Sequence, residues 1–282
     1  MSHPNLFLIG AAKGGSSTLA LHLANHPEIG MAAKEPNIFN RETVADCKAR
    51  LDEFTQGGLD QRWRLDGSVN YSQYPKFTGV PGHIAALTDP KQVRFIYILR
   101  DPVDRAISQY FWRRERFGEE RSFDAATDPD SVYVMSGRYD LQIRQYIDHF
   151  SLDQFYFVKH DDYFADPANG YAKLCRWLDI SDAHQPDVTL RRGSTAKNVT
   201  RGARFPLINR ILRASPGIRK QITGLLPMRV QRKLSGLMTK PVAREEITAA
   251  QRLRLQSAFI PSIKATEDLT GLDLSNWRQA DS

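Results

Sequence analysis

The sequence predicts an α/β fold: a single domain on a central, mostly parallel sheet flanked by helices. Three observations carry that expectation. Short apolar runs alternate with stretches of helical periodicity, the pattern of parallel strands joined by covering helices. A glycine-rich turn links the first strand to the first helix, and a strand–turn–helix unit recurs near residue 100. At 282 residues, 41% apolar and 25% charged, the chain can bury a full core, and its composition excludes a disordered, collagen-like or disulfide-stapled protein.

Each element has its own signal. Leu6-Phe7-Leu8-Ile9 is short, apolar and closed by Gly10, as a buried strand is; Leu19, Leu21 and Leu23 begin a helix running from Ser16 toward His26-Pro27. Val93 to Leu99, rich in β-branched and aromatic residues, is a second strand that stops at Arg100-Asp101-Pro102. Asp101 can cap the next helix with Pro102 at its first position, and Val103, Ile107, Tyr110 and Phe111 follow at helical spacing. A third strand, Phe155 to Val158, precedes Asp161-Asp162 and a helix around Ala168 to Leu178. Parallel sheets of this kind bind ligands at the carboxyl ends of their strands. The one compositional boundary lies near residue 188. Beyond it Pro206, Pro216, Pro227 and Pro241 cut a basic, leucine-rich stretch, and a more regular helix runs from roughly Arg244 to Leu269. The expected organisation is one domain over 1–282, with a cofactor-binding core at 1–205 and a basic helical C-terminal extension at 206–282.

The charge is uneven. Lys and Arg outnumber Asp and Glu by 39 to 32, a net +7, yet fourteen basic and no acidic residues lie between Asp187 and Glu245, leaving −7 on the rest. Such a block points to a polyanion, a phosphate-rich cofactor or an anionic membrane surface. From residue 204 to 244 cations interleave with leucines, isoleucines and prolines, which suits contact with anionic lipid, a grip on an anionic glycan, or a solvated cover over the sheet. No nucleic-acid-binding motif is present, so no nucleic-acid partner is expected. With no run near the roughly 20 apolar residues of a membrane span and no signal-peptide pattern, the expected location is cytoplasmic, with peripheral membrane contact through 204–244 as a variant. Cys47 and Cys175 lack C-x-x-C spacing, which argues against disulfide exchange or a cysteine zinc site.

Gly10-Ala11-Ala12-Lys13-Gly14-Gly15-Ser16-Ser17-Thr18 lies between strand and helix, where backbone N–H groups and the helix dipole can hold an anion. A P-loop-like phosphate-binding turn is one use; a plain tight connection is the other. Gly10 and Gly15 keep the spacing of G-x-x-x-x-G-K-[ST], but Ser16 stands where lysine belongs and Lys13 precedes the glycine pair. The dinucleotide pattern G-x-G-x-x-G is absent. In the second unit Arg100 ends the strand and Ser108 follows eight residues on. A planar fork of donors and a hydroxyl suit a second phosphate, separated from the first by a nucleoside. Pairing of Arg100 with Asp101 or Asp104 is the alternative.

Phe7 to Phe39 together with Val93 to Tyr110 resembles the sulfotransferases that use 3′-phosphoadenosine 5′-phosphosulfate (PAPS), especially the branch of heparan sulfate sulfotransferases and many bacterial relatives. The resemblance places Lys13 against the phosphosulfate, Ser16 and Ser17 on the 5′-phosphate with Gly14, Gly15 and Thr18 completing the loop, and Arg100 and Ser108 on the 3′-phosphate. It continues more weakly through Gly137-Arg138-Tyr139 and Thr270 to Trp277. It also reaches Lys197 to Gly202, where the family has a basic loop over the cofactor, which implies Lys197, Asn198, Arg201 and Gly202 as further contacts. In this branch a glutamate soon after the phosphate loop is the catalytic base; here that is Glu35, which would take the acceptor's proton while Lys13 neutralises the departing phosphate oxygen. Unaided by the resemblance, Glu35 reads as a solvated carboxylate paired with Lys34. Two departures stand out: Asn37 where the family often has histidine, and Gly67 in Asp66-Gly67-Ser68-Val69-Asn70-Tyr71, where it often has lysine.

The expected activity is transfer of a sulfuryl group from PAPS, with adenosine 3′,5′-bisphosphate as product and no metal, to a hydroxyl of a carbohydrate, glycolipid or related small acceptor. Tyr71, Tyr74, His83, Trp112, Arg113 and Arg116 are candidates for the acceptor pocket, since aromatic rings beside arginines suit a sugar; core or rim packing is the other use of such rings. The rival readings are a magnesium-dependent, kinase-like phosphotransferase and a non-catalytic protein that binds polyanions or membrane surfaces.

Overall fold

The computed structural model describes residues 3–55, 59–186, 200–203, 239–242 and 246–279. Its centre is a five-stranded sheet of order β2-β3-β1-β4-β5, formed by β1 (Leu6–Gly10), β2 (Ile29–Gly30), β3 (Trp63–Asp66), β4 (Arg94–Leu99) and β5 (Phe155–Lys159). Every pairing in it is parallel, so the expected α/β domain is realised with a sheet more uniform than "mostly parallel". The register sets Leu6 beside both Leu65 and Arg94, which makes β1 the central strand.

Alternation along the strands builds two cores. Phe7, Phe95, Tyr97 and Leu99 face one layer, which contains α2 (Val44–Thr55), α3 (Val80–Leu87), α4 (Pro102–Phe117) and α7 (Tyr139–Ile147). Leu6, Leu8, Ile96 and Ile98 face the other, with α1 (Ser16–Ala24), α8 (His160–Ala165) and α9 (Pro167–Trp177). Two short helices, α5 (Phe123–Ala126) and α6 (Val132–Met135), lie between α4 and α7 in sequence. Buried rings of Phe7, Phe95 and Phe155 stack in series, at 5.5 Å and 4.7 Å between centroids, across the first face. Each such side chain contributes on the order of 1.5–3 kcal/mol by leaving water.

The local signals act as the sequence implies. Asp101 caps α4, its carboxylate accepting from the Val103 and Asp104 amides at 2.8 and 3.0 Å, with Pro102 at the first helical position. The last helix, α10 (Ala249–Thr270), starts later than the expected 244 because Thr248 and Gln251 close a capping box there, and it ends at Gly271, whose φ of 69° is left-handed. Its Leu255, Phe259 and Ile263 enter the core, so this part of the expected extension is structural. Most of the basic stretch 206–243 lies outside the described residues. At its edges β6 (Thr200–Ala203) and β7 (Thr239–Val242) pair antiparallel, beside α4. Among the described residues no helix is long and apolar enough to cross a membrane.

Candidate active site

The strands deliver their carboxyl ends to one cleft of about 890 Å³. Gly10 leads from β1 into the glycine turn, Asp66 from β3 into a short 3-10 turn (Val69–Ser72), Leu99 from β4 to Arg100, and Lys159 from β5 to His160. The cleft thus sits where the connections leaving the adjacent strands β1 and β4 run in opposite directions, toward β2 and β5, the usual ligand position in open parallel sheets.

The glycine turn is shaped by its own backbone. The Ala11 amide donates to the Ile98 carbonyl at 2.8 Å and the Gly14 amide to the Ala11 carbonyl at 2.9 Å, which anchors the turn on β4 and curls it. Gly15 has a φ of 91°, and a Cβ there would stand 2.5 Å from the Phe164 ring, so glycine is required for both conformation and space. Helix α1 opens directly after it, without a side-chain cap and without an acidic residue in its first turn. Its first residues, Ser16, Ser17 and Thr18, line the cleft, and the Thr18 amide donates back to the Gly15 carbonyl at 3.0 Å. The residues fit an anionic cofactor: a narrow backbone cradle, an uncompensated helix N-terminus and nearby cations.

Lys13 lines the same space, its ammonium 5.5 Å from the centroid of the Trp112 ring. Ser108, Gln109, Trp112 and Arg113 come from one face of α4, as i, i+1, i+4 and i+5 spacing dictates. Arg100 joins the two phosphate-type motifs: its Nη1 donates to the Lys13 carbonyl at 3.3 Å and its Nη2 lies 3.5 Å from Asp104. The expected alternative pairing is therefore real for Asp104, while Asp101 is occupied by the cap, and Arg100 still borders the cleft. Tyr139 fixes the arginine's backbone, its hydroxyl donating to the Arg100 carbonyl at 2.7 Å and accepting from the Arg100 amide at 3.3 Å.

Glu35 borders the opposite wall, with Lys34 paired to its carboxylate. The loop that carries it is braced from β3 and the 3-10 turn. Asp66, fully buried, accepts from the Ser68 amide at 3.0 Å, from the Ser68 hydroxyl at 2.5 Å and from the Tyr71 hydroxyl at 2.6 Å. Those hydroxyls in turn accept from the loop: Ser68 from the Asn37 amide at 2.9 Å, Tyr71 from the Ile38 and Phe39 amides at 2.9 and 3.1 Å. Burial raises the Asp66 carboxyl to about 6, against the lowering effect of these hydrogen bonds.

Four residues expected in the acceptor pocket stand elsewhere. Tyr71 is 3% exposed and spends its hydroxyl inside the fold. Tyr74 does not line the cleft; its backbone is held by the Gln142 side chain on both sides. His83 lies behind the loop, its Nδ1 3.0 Å from the Phe39 carbonyl and 3.4 Å from the Cys47 sulfur. Aromatic spacing in the sequence does not distinguish a hydroxyl turned into the core from one turned to a ligand. Trp112 and Arg113 do border the cleft; Arg116 is exposed at the end of α4 and does not. Lys197 and Asn198 lie outside the described residues. The backbone of Arg201 and Gly202 is in β6, paired with Pro241 and Lys240.

The structure also adds cleft residues that the sequence did not single out: Lys34, Gln73, Lys76, His160 and Phe164. Lys34 was legible from its adjacency to Glu35; the others depend on tertiary placement. Both departures from the resemblance have a structural account. A Cβ on Gly67 would stand 2.8 Å from the Lys34 carbonyl, which accepts from the Gly67 amide at 2.9 Å, so no side chain fits there without moving the Glu35 loop. Asn37 has a φ of 52°, a left-handed conformation that asparagine tolerates, and its side chain ties the loop to the Glu35 carbonyl and to Asn70.

A family model described as "Sulfotransferase domain" matches residues 3–224. The chain belongs to the sulfotransferase-domain family. Human heparan sulfate glucosamine 3-O-sulfotransferase 3B1 is 25% identical over 197 residues, covering 64% of this chain and 48% of that protein. The bifunctional heparan sulfate N-deacetylase/N-sulfotransferase 1 of Caenorhabditis elegans is 25% identical over 200 residues, 64% of this chain and 22% of that one. The chain thus spans about half the length of the first of these relatives. Among solved structures, a sulfotransferase from Alicyclobacillus acidocaldarius superposes with a TM-score of 0.69 at 22% identity, over 99% of this chain and all of that one, and so shares the sulfotransferase fold.

Proposed function

We propose that the chain is a PAPS-dependent sulfotransferase acting on a hydroxyl of a carbohydrate, glycolipid or related acceptor. The observation that carries this reading is the convergence of Lys13, Ser16, Ser17, Arg100, Ser108 and Glu35 on one cleft from three separate stretches of a chain in the sulfotransferase-domain family. When bound, the cofactor supplies an electrophilic sulfuryl group whose bond to the 5′-phosphate breaks in line as the acceptor oxygen bonds to sulfur. The glycine turn and the α1 N-terminus hold the 5′ end, with Lys13 countering the charge left on the departing phosphate oxygen. Arg100 and Ser108 hold the 3′-phosphate, which selects a 3′,5′-substituted adenosine over a triphosphate. Glu35 receives the proton of the attacking hydroxyl, and Lys34, already paired with it, keeps the carboxylate on the cleft wall. Trp112 and Arg113 form the acceptor side, an aromatic face and a cation suited to a sugar bearing anionic groups. The reading includes, as proposals from the sequence alone, a cytoplasmic location and contact of the basic segment 204–244 with an anionic surface.

The experiment is transfer of labelled sulfuryl groups from PAPS to a panel of mono- and oligosaccharide and glycolipid acceptors, in EDTA, by wild type and Glu35→Gln. The expected result is labelled product with at least one acceptor, metal-independent and lost in Glu35→Gln. Phosphoryl transfer from ATP with magnesium, and no sulfuryl transfer, would overturn the reading in favour of a phosphotransferase.

A further inference from the structure

Among the buried groups, Asp66 has no task in the chemistry proposed above, yet it is the terminus of the hydrogen bonds that shape the Glu35 loop. We infer that Asp66 is a positioning residue for Glu35: acting through the Ser68 and Tyr71 hydroxyls, its ionised carboxylate fixes the backbone of residues 37–39 and with it the base. This rests on the reading that Glu35 is the base.

The two hydroxyls serve the loop as acceptors, taking three amide protons from residues 37, 38 and 39. Each must then send its own proton elsewhere, and both send it to Asp66. An ionised carboxylate, an acceptor at both oxygens, takes these and the Ser68 amide together. A proton on the carboxyl would aim at the phenol or the serine oxygen. The Tyr71 oxygen, holding two amide protons and its own, has no room for a fourth, so a proton aimed there breaks a loop bond; one aimed at the Ser68 oxygen, which holds a single amide proton, turns the serine's own O–H away from Asp66. A neutral acid, or an amide in its place, is therefore incompatible with the full network.

The turn that carries the network is itself fixed from two sides. Tyr146 of α7 donates its hydroxyl to the Tyr71 carbonyl at 2.9 Å, and Ser72 donates to the Ile9 carbonyl at 2.7 Å, at the point where β1 enters the glycine turn. The same short turn thus braces the base loop and abuts the start of the phosphate loop. Titratable groups around the carboxylate are Glu35 on the loop, Tyr71 on the turn and Tyr146 on α7. Burial raises its titration to about 6, so acidification through that range would disturb the hydrogen bonds that brace the loop.

The test combines amide hydrogen exchange with kinetics on the whole chain, for wild type, Asp66→Asn, Tyr71→Phe and Ser68→Ala. At pH 7 exchange at residues 37–39 is expected to rise at least tenfold in Asp66→Asn and Tyr71→Phe, while β4 amides keep their protection. In the same variants kcat falls at least tenfold, and the Kd for adenosine 3′,5′-bisphosphate stays within twofold. The acidic inflection of kcat near pH 6 is absent from Asp66→Asn. It moves to higher pH in Tyr71→Phe and Ser68→Ala, which each remove a hydrogen bond to the charged form. Unchanged exchange at 37–39 in Asp66→Asn, or loosening spread equally to β4, overturns the inference. Because exchange is read without turnover, it decides the role of Asp66 even if Glu35→Gln keeps wild-type kcat, a result that would instead overturn the assignment of the base.

Discussion

The loops of residues 10–18 and 34–39 both contribute to the cleft, and they are held by opposite means. The first loop is shaped by its own backbone: a turn closed by the Gly14 amide on the Ala11 carbonyl, a left-handed Gly15, and the start of α1. The second is shaped by side chains 31 to 33 positions away, which borrow a buried carboxylate to orient two hydroxyls. The difference separates tasks. A loop that binds phosphate presents N–H groups, and local geometry suffices to aim them. A loop that carries a general base, the role proposed for Glu35, must hold one carboxylate at one point, and the loop is braced here by a buried charge that opposes folding.

The comparison yields a graded series of expectations. The largest effect falls on the base: Glu35→Gln lowers kcat by roughly 10²- to 10⁴-fold while leaving the bisphosphate Kd within twofold, measured by single-acceptor kinetics and calorimetry. Next is the cost of the buried carboxylate. Folded Asp66 titrates near 6 against an unfolded value near 3.8, so the stability it lends is complete below about pH 4 and is lost as the pH rises through 6. Urea unfolding of wild type and Asp66→Asn from pH 4 to 7 is therefore expected to show wild type losing about 2–2.5 kcal/mol relative to the variant. A pH-independent difference would contradict a native carboxylate raised by burial.

Smaller effects probe packing. Gly67→Lys supplies the cation that the resemblance associates with this position, yet its Cβ would meet the Lys34 carbonyl. It should cost about 1–3 kcal/mol in denaturant unfolding and lower kcat rather than raise it, because the base loop must give way. At the bottom of the series, Lys48→Ala on α2 breaks an exposed pair with Asp52 and should change stability by less than about 0.5 kcal/mol, with no effect on kinetics.

What could be read from the sequence follows the same division. Strands β1, β4 and β5, the Asp101 cap and the glycine turn were legible because their determinants are neighbours in the chain. Strands β2 and β3 were not: at two and four residues they are too short for a periodic signal, and β3 ends in a buried aspartate that reads as a surface residue. Lys13, Glu35, Arg100 and Ser108, which the structure brings to the cleft, were singled out through motifs and resemblance. Tyr71 was noticed for the wrong reason, since its ring suggested a sugar whereas its hydroxyl serves Asp66. His83 was misplaced likewise, because nothing local reveals that its imidazole meets the Phe39 carbonyl. Lys76, His160 and Phe164 reach the cleft only through the crossings of the sheet.

The central claim is that this cleft is built for a 3′,5′-substituted adenosine. Its most direct test is calorimetric titration with adenosine 3′,5′-bisphosphate in EDTA, against ADP and against ATP with magnesium, for wild type and Arg100→Ala. The account predicts metal-independent binding at least tenfold tighter than ADP, weakened roughly 10- to 100-fold in Arg100→Ala by loss of a charge-assisted contact. Binding of ATP only with magnesium, or bisphosphate binding that Arg100→Ala leaves intact, would contradict it.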